Sequence, residues 1–310
     1  MRIGVTGAAG FIGSHVCERL LARGHEVVGI DAFTRFYGRE LKEANVAALR
    51  SAPGFELVEL NVLDETGLAP ALIGLDAVCH LAGRPGVRRG TTEVYAAGNV
   101  QTTAAVLGAA HSAGVRRVLL ASSSSVYGRT DGRVPEHAPL RPLSEYGRSK
   151  RAAERLARVE AAALGIELVV LRYFTVYGPR QRPDMAFARF VDAALGGEPM
   201  RLLGDGRQVR DFTYVGDAAE ATALALESGR DGATFNVAGG APATLAEAFS
   251  LLAHELGRTP ELERLPADGR DPRSTGADLT RARVELGWEP VTALPDGLAL
   301  QAAHAAAAVG

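Results

Sequence analysis

The sequence is poor in the residues that build disulfide frameworks and metal centres. Among its 310 residues there are two cysteines, Cys17 and Cys79, which stand in different apolar segments. We interpret both as small buried hydrophobic residues rather than as a disulfide or as metal ligands. No group of histidine, cysteine and aspartate has the spacing of a metal site, so we expect no bound metal.

An excess of positive charge and a long apolar run are also absent. The 34 basic and 36 acidic residues leave a formal net charge of −2, which gives no indication of a nucleic-acid partner. No apolar run approaches the length of a membrane span, and the N-terminus enters a strand at once without the pattern of a signal peptide. We therefore expect a soluble, cytoplasmic protein that binds neither nucleic acid nor a membrane.

The sequence does contain alternating β-rich and helical segments, which predict an α/β fold. This alternation favours a doubly wound parallel sheet with helices on both faces. The predicted strands are Arg2–Thr6, Glu26–Ile30, Leu57–Leu60, Ala77–Leu81, Val118–Ala121, Leu168–Arg172 and Thr234–Val237. The predicted helices are Ser14–Arg23, Gly98–Ala113, Tyr146–Leu164 and Ala218–Glu227.

The composition changes after Arg172, where proline, arginine and glycine crowd the segments 178–184, 204–210 and 266–276. Such loops are better suited to binding than to a core, so we predict a smaller α/β lobe for the substrate. The predicted dinucleotide-binding domain comprises residues 1–172 and about 211–238. The predicted substrate domain comprises about 173–210 and 239–310.

A glycine-rich turn, GAAGFIG, lies between the first strand and the first helix. Its glycines, Gly7, Gly10 and Gly13, let a phosphate approach the backbone at the positive end of a helix. Asp31 ends the second strand 18 residues after Gly13, where a carboxylate accepts hydrogen bonds from a ribose and repels a 2′-phosphate. The pattern favours NAD over NADP, although Arg35 stands close enough in sequence to serve a phosphate.

Tyr146 and Lys150 stand four residues apart in YGRSK, so a helix points both side chains the same way. An ammonium near a phenol lowers the phenol pKa, which suits Tyr146 to proton transfer with an alcohol. The pair alone is also typical of a solvated helix face. However, the serines of Ser122–Ser125 follow a predicted strand, at the sheet edge where such folds bind ligands.

Nine motifs in order resemble those of the extended short-chain dehydrogenase/reductases, and among these the NAD-dependent sugar-nucleotide epimerase/dehydratase family. The resemblance covers nearly the whole chain and implies a Rossmann-like sheet with NAD as cofactor. The motifs are GAAGFIGSH, Asp31, HLAG (His80–Gly83), Asn99, SSSSVYG (Ser122–Gly128), YGRSK (Tyr146–Lys150), RYFTVYGPR (Arg172–Arg180), RDFTYVGD (Arg210–Asp217) and NVAGG (Asn236–Gly240).

The resemblance also implies roles for individual residues. Tyr146 is the expected base, Lys150 holds the ribose and tunes Tyr146, and the catalytic serine falls best on Ser123, with Ser122 and Ser124 as alternatives. Asn61 stands where the family often has an aspartate facing the adenine, so that contact is expected to be weaker. The implied cofactor-binding residues are Gly7, Gly10, Phe11, Ile12, Gly13, Asp31, Asn61, Val62, Leu81, Ala82, Gly83, Asn99, Ser122, Tyr146, Lys150, Tyr173 and Val176.

The serine segment indicates which reaction to expect. Dehydratases of this family resemble S-T-D-E-V-Y-G there, and the related decarboxylases usually keep a glutamate. This chain has Ser124 and Ser125 and no acid, which favours an epimerase. The segment RYFTVYGPRQRPDMAF most resembles UDP-glucuronate 4-epimerases, and Thr175 stands where galactose epimerases have asparagine. The alternatives are a UDP-glucose/galactose or UDP-pentose 4-epimerase and a catalytically silent NAD-binding regulator.

The resemblance to these epimerases also suggests how a UDP-hexuronate is held. Ser123 meets the reacting oxygen, and the sugar carboxylate is expected to meet Ser124, Ser125, Thr175 and either Arg182 or Arg88. Arg189 and Arg210 are the predicted diphosphate partners, and Asp271 and Arg273 match the segment that usually meets the uridine ribose. In similar proteins, alanine-rich helices such as Gly98–Ala113 form a dimer interface, so we expect a homodimer.

Overall fold

The computed structural model describes residues 1–86, 90–130, 132–267, 269 and 272–309, with only the backbone described at 65, 308 and 309. Its strands are β1 Arg2–Thr6, β2 Glu26–Asp31, β3 Phe55–Glu59, β4 Ala77–His80, β5 Arg117–Ser123, β6 Glu167–Tyr173, β7 Val176–Tyr177, β8 Met200–Leu203, β9 Val209–Arg210, β10 Thr213–Tyr214, β11 Thr234–Val237, β12 Ala243–Thr244 and β13 Leu262–Leu265. Its α-helices are α1 Phe11–Ala22, α2 Arg39–Val46, α3 Glu65–Ala71, α4 Thr92–Tyr95, α5 Thr102–Ser112, α6 Glu145–Leu164, α7 Ala186–Gly196, α8 Val215–Ser228, α9 Leu245–Leu256, α10 Thr280–Leu286 and α11 Leu294–Val309. Short 3₁₀ turns span Leu49–Ser51 and Ser124–Val126, and a π-helical turn spans Ala96–Gln101.

Seven parallel strands form the central sheet in the order β11-β6-β5-β4-β1-β2-β3. The strand β1 pairs with both β2 and β4, and its last residue, Thr6, lies opposite Ile30 and His80. The chain leaves β1 between these two neighbours, which is the position where doubly wound sheets bind a ligand beyond their carboxyl ends. The predicted doubly wound, Rossmann-like fold is confirmed.

Successive side chains of each strand point to opposite faces of the sheet, and a hydrophobic core lies on each face. In β6, Val169 and Leu171 join the core with α1 and α8, whereas Leu168 and Val170 join the core with α3, α5 and α6. Cys17 and Cys79 are buried, unpaired residues of the first core, as expected. Both faces are covered, which explains why the strands are nearly continuous apolar runs.

The predicted strands are confirmed to within two residues, but three helices differ from expectation. The helix predicted at Ala218–Glu227 begins three residues earlier, at Val215. The first helix begins at Phe11 rather than Ser14, so the glycine turn leads directly into it. The predicted helix Gly98–Ala113 lies in a longer helical stretch, and residues Ala96–Gln101 of this stretch form a π-helical turn instead of an α-helical one. This widening brings Asn99 into contact with the chain after β4, where its amide bonds both backbone groups of Arg84.

A third hydrophobic core lies in the later part of the chain and is aromatic at its centre. The Tyr177 ring packs at 5.7 Å from Phe187 and 5.9 Å from Tyr214, measured between centroids, and α7, α9 and α11 enclose them. This core accords with a separate substrate lobe. However, residues 277–288 pack into the first core, on the face of the sheet covered by α1 and α8. The boundaries of the two domains therefore stay a prediction.

No helix in the described part of the chain is both long enough and apolar enough to span a membrane.

We expect Gly297→Ala to destabilise the fold by about 1–3 kcal/mol, because the added methyl group overpacks the third core. An added Cβ lies 2.2 Å from the Tyr177 hydroxyl oxygen, and the Tyr177 side chain is buried. Gly196→Ala is the control, since nothing lies within 4 Å of its Cβ position. Urea unfolding compares the two variants, and equal stability would contradict the assigned packing.

Candidate active site

A cavity of about 840 Å³ follows the carboxyl edge of the sheet and continues to residues of the later part of the chain. Its wall includes the glycine turn at one end and Arg210 and Pro272 at the other. Tyr146 and Lys150 line it between these ends. A cavity of this volume is large enough for a small-molecule or cofactor site.

The glycine turn fits a diphosphate. Gly7 has φ +75°, in the region that favours glycine, and a Cβ on Gly13 would lie 2.1 Å from the Gly7 carbonyl oxygen. Helix α1 follows with Gly10 as its N-cap and no side-chain cap, so the backbone N–H groups of its first turn face an anion site. Gly7, Gly10, Phe11, Ile12 and Gly13 all line the cavity, as predicted.

Asp31 is buried at the cavity wall and is held from three sides. Its Oδ2 accepts from Ala9 N at 3.1 Å, and its Oδ1 accepts from Phe33 N at 2.8 Å and from Lys42 Nζ at 3.1 Å. Lys42, which the sequence analysis missed, is itself buried and lines the cavity. Arg35 is exposed and is not part of the described cavity wall, so it does not supply the phosphate site considered as an alternative.

The wall between the glycine turn and the catalytic residues comes from the ends of β3 and β4. Asn61, Val62, Leu81, Ala82 and Gly83 line it as predicted. Behind this wall, the Thr6 hydroxyl lies 2.8 Å from His80 Nδ1 and accepts from Ala82 N at 3.1 Å.

The other predicted cofactor residues divide into two groups. Tyr173, Val176 and Ser122 line the cavity, but Asn99 does not. The Asn99 side chain is buried, and its amide also donates to Ser149 Oγ at 2.8 Å. Its partners lie on helix α6 and in the chain after Gly83. Asn99 therefore supports the cavity wall from behind instead of facing a ligand.

Three consecutive residues at the end of β5 meet three residues of α6 that lie one helical turn apart. Ser123 hydrogen-bonds Tyr146, the Ala121 carbonyl accepts from Lys150 Nζ at 3.0 Å, and Ser122 Oγ donates to Glu154 at 2.5 Å. Glu154 is a buried carboxylate that also forms a bidentate pair with Arg172, at 2.7 and 3.0 Å. Because Ser122 is engaged away from Tyr146, the geometry favours Ser123 as the catalytic serine.

The pKa of Tyr146 differs from expectation. Burial raises the pKa of Tyr146, and the hydrogen bond from Ser123 and the charge of Arg182 only partly offset this effect. Lys150 does not lower it as predicted, because its ammonium is directed to the Ala121 carbonyl. Burial also lowers the pKa of Lys150 to about 8, with the Glu154 charge acting in the opposite direction.

Four of the predicted sugar-side residues lie in the wall of one cavity. Ser124, Ser125, Thr175 and Arg182 line the cavity. Arg182 is largely buried, and its guanidinium pairs with Asp184 through Nε at 3.0 Å and Nη2 at 3.3 Å. Its charge acts on Tyr146, so a positive group lies beside the proton-transfer residue.

The predicted nucleotide-side residues are only partly gathered. Arg189 and Arg210 line the cavity, together with Pro272 and Thr275. The Arg273 side chain is exposed and is not part of the described wall, because the Arg273 carbonyl oxygen pairs with Val209 N and turns the segment along β9. Arg88 and Asp271 lie outside the described residues.

Arg180 connects the sugar side to the helix of the glycine turn. Its guanidinium donates to Glu18 at 2.5 and 2.9 Å and to the Asn45 carbonyl at 3.2 Å, and it contacts the His15 ring. Burial, followed by the Arg180 charge, lowers the pKa of His15 to about 4, so the ring is neutral at pH 7. These contacts hold Arg180 at φ +65°, a conformation that residues other than glycine seldom adopt.

Phe36, Arg84 and Tyr95, like Lys42, are site residues that the sequence did not predict. Phe36 and Arg84 line the cavity, and the Tyr95 ring packs at 6.0 Å from that of Tyr146. No spacing rule connects Phe36 or Arg84 to the rest of the site, because each lies in a loop. Lys42 is not predictable from its spacing either, because its burial and its contact with Asp31 follow from the fold.

The arrangement fits a dinucleotide and proton transfer. The glycine cradle and Asp31 suit the diphosphate and ribose of NAD, and Tyr37 has a buried hydroxyl in the cavity wall with no partner among the described residues. Within the described ranges, no three histidine, cysteine, aspartate or glutamate residues are grouped to hold a metal ion.

Comparisons with known proteins agree with this site. The NAD dependent epimerase/dehydratase family profile matches residues 3–238. One relative is the Bacillus subtilis (strain 168) protein named uncharacterized UDP-glucose epimerase YtcB, which is 41% identical over 98% of both chains. Another is a UDP-glucuronate 4-epimerase from Thermodesulfobacterium geofontis, which is 35% identical over 95% of this chain and 93% of the relative. A crystal structure of UDP-glucuronic acid 4-epimerase from Bacillus cereus, in complex with UDP-glucuronic acid and NAD, superposes with a TM-score of 0.95 at 38% identity, over 99% of this chain and 100% of that one. This chain belongs to the NAD-dependent epimerase/dehydratase family.

Proposed function

We propose that the protein is an NAD-dependent isomerase that converts UDP-glucuronate to UDP-galacturonate by epimerisation at C4. The observation that carries this proposal is the wall beside Tyr146, where the hydroxyls of Ser124, Ser125 and Thr175 and the Arg182 guanidinium line one cavity. Hydroxyls and a guanidinium match a sugar carboxylate, and the serine segment supplies no acid for elimination. Relatives named as UDP-glucuronate 4-epimerases support the choice of substrate.

In the proposed mechanism, bound NAD serves as a reversible acceptor for the hydride that leaves and returns to sugar C4. Tyr146 removes the proton of the 4-hydroxyl, and Ser123 hydrogen-bonds the same reacting oxygen. The resulting 4-keto sugar rotates within the cavity and presents its opposite face, and Tyr146 then returns the proton. Burial raises the pKa of Tyr146 and so opposes formation of the phenolate that accepts this proton, whereas the Ser123 hydrogen bond and the Arg182 charge favour the phenolate. Lys150 supports the ribose at the end of β5.

The carboxylate contacts also bear on which product leaves. A 4-keto uronate loses CO₂ when its carbon–carboxylate bond aligns with the carbonyl π system. Donors from Thr175, Ser124 and Arg182 on separate segments hold the carboxylate away from that alignment. The proposed wall therefore favours epimerisation over decarboxylation.

We further propose that the nucleotide occupies the far end of the cavity. Arg189 and Arg210 line that end and are suited to the diphosphate, since guanidinium groups bind phosphate oxygens in pairs. Thr275 and Pro272, rather than Arg273, face the nucleotide. The lobe built on the third core, about residues 173–210 with part of 239–310, holds this half of the substrate.

Ser123→Ala is expected to lower kcat on the order of a hundredfold, since it removes a hydrogen bond to the reacting centre. It also removes a contact that lowers the Tyr146 pKa, so the rising limb of the pH–rate profile moves to higher pH. Ser122→Ala is the matched control, and we expect its kcat to fall less than about tenfold. Its free energy of unfolding is expected to fall by about 1.5–3 kcal/mol, because the hydrogen bond to Glu154 is lost. The reverse order of activities would reassign the catalytic serine.

The substrate itself is tested with purified protein and UDP-glucuronate, UDP-glucose and UDP-xylose, with products identified by NMR. We expect UDP-galacturonate as the main product and slower conversion of the two sugars without a carboxylate. Tyr146→Phe is expected to abolish conversion while NAD stays bound. Conversion of UDP-glucose alone would favour the second candidate, a UDP-glucose 4-epimerase, which the name of the 41% identical relative supports.

We also propose a homodimer formed through α5 and α6. These helices pack side by side, and their outer faces carry small residues such as Gly108, together with Val159, which is 66% exposed. A face of small residues lets helices of a second copy approach closely.

Val159→Glu is expected to convert the dimer to a monomer, because it places a charge in the centre of the proposed interface. Val284→Glu on α10 is the control, since Val284 is 78% exposed and lies away from this face. Light scattering during size exclusion measures the mass of each. A monomeric parent, or a dimer that survives Val159→Glu, would contradict the interface.

A further inference from the structure

The segment between β2 and α2, residues Ala32–Gly38, forms a strap along the cavity. It begins next to Asp31, and Thr34, Phe36 and Tyr37 line the cavity wall. The turn at its start has Phe33 at φ +45°, with Phe33 N bound to the Asp31 carboxylate. The strap thus leaves the ribose end of the site in a fixed direction.

Phe36 reaches from this strap to the sugar end. The Arg182 guanidinium carbon lies over the Phe36 ring at 5.8 Å, and the Arg84 guanidinium carbon lies over it at 4.1 Å. The three residues come from the loops after β2, β4 and β7. An aromatic ring attracts a guanidinium through the negative charge of its face.

The contacts of Arg182 divide its guanidinium into three parts. The guanidinium carbon lies 5.8 Å from the centroid of the Phe36 ring, while Nε and Nη2 donate to Asp184. Nη1 donates to no described protein atom and belongs to a residue that lines the cavity. Nη1 therefore remains the donor for a ligand.

The rest of the strap is held at its other end. The Lys42 ammonium lies over the Tyr37 ring at 5.4 Å and pairs with Asp31. The Tyr37 hydroxyl has no partner among the described residues, and Asp31 and Arg182 both act on its pKa, which burial raises to about 12. The strap is therefore anchored at the ribose side, and its Phe36 ring lies next to both Arg84 and Arg182.

We propose that Phe36 is a positioning residue for substrate specificity, which acts by fixing the Arg182 guanidinium so that Nη1 meets the carboxylate of a hexuronate. This inference rests on the proposed function and deepens it. A long arginine side chain loses conformational freedom when it binds a ligand, and a side chain that is already stacked loses less. The benefit applies only to ligands that Arg182 contacts, so Phe36 selects carboxylated sugars.

The test measures ligand binding calorimetrically in the NAD-bound protein carrying Tyr146→Phe, so that neither ligand is converted. The ligands are UDP-glucuronate and UDP-glucose, which differ in the C5 carboxylate. Phe36→Leu is expected to raise the Kd of UDP-glucuronate about tenfold and the Kd of UDP-glucose less than about threefold. Phe36→Tyr, which keeps the aromatic face, is expected to bind both as the parent does.

Equal weakening of both ligands by Phe36→Leu would overturn the proposal, since it would indicate general damage to the cavity. Unchanged binding of both ligands, or loss of bound NAD in Phe36→Leu measured by chromatography, would also overturn it. The proposed function has its own readout in the parent protein. If the parent with Phe36 intact does not prefer UDP-glucuronate, the substrate assignment fails before the variants are compared.

Discussion

The active site depends on the contact between the end of strand β5 and helix α6. Ser123, the Ala121 carbonyl and Ser122 engage Tyr146, Lys150 and Glu154, so three contacts fix the helix against the strand over two helical turns. The last of these contacts is anchored by the buried pair of Glu154 and Arg172. Removing one member of a buried pair leaves an uncompensated charge, at a cost of about 3–5 kcal/mol. The proton-transfer residues are thus positioned by a part of the core that never meets a ligand.

Much of the fold and the ends of the site follow from the sequence, because they rest on local patterns. Strand positions follow from apolar runs, and the glycine turn is recognisable because Gly7 and Gly13 occupy positions where a Cβ would collide with backbone. The spacing of Tyr146 and Lys150 predicts their shared helix face. The grouping of Ser124, Thr175 and Arg182 in one cavity was available only through the resemblance to known enzymes.

The parts that the sequence does not predict depend on distant neighbours. The pKa of Tyr146 is set by burial, by the hydrogen bond with Ser123 on β5 and by the charge of Arg182, which lies 36 residues away, rather than by the adjacent helical turn. Asn99 faces inward because a π-helical turn shifts the register of its helix. Lys42 reaches Asp31 because α2 folds back over the end of β2. None of these arrangements has a fixed sequence spacing, so no local pattern announces them.

Arg180 has a consequence for how this enzyme changes through evolution. Its strained backbone is retained because one side chain ties the loop that carries Arg182 to Glu18 on α1 and to the end of α2. A substitution that reshapes this loop for another sugar also disturbs the helix that follows the glycine turn. The sugar side and the dinucleotide side of the cavity are therefore coupled through one side chain, and the first cannot be reshaped here without loss of a support of the second.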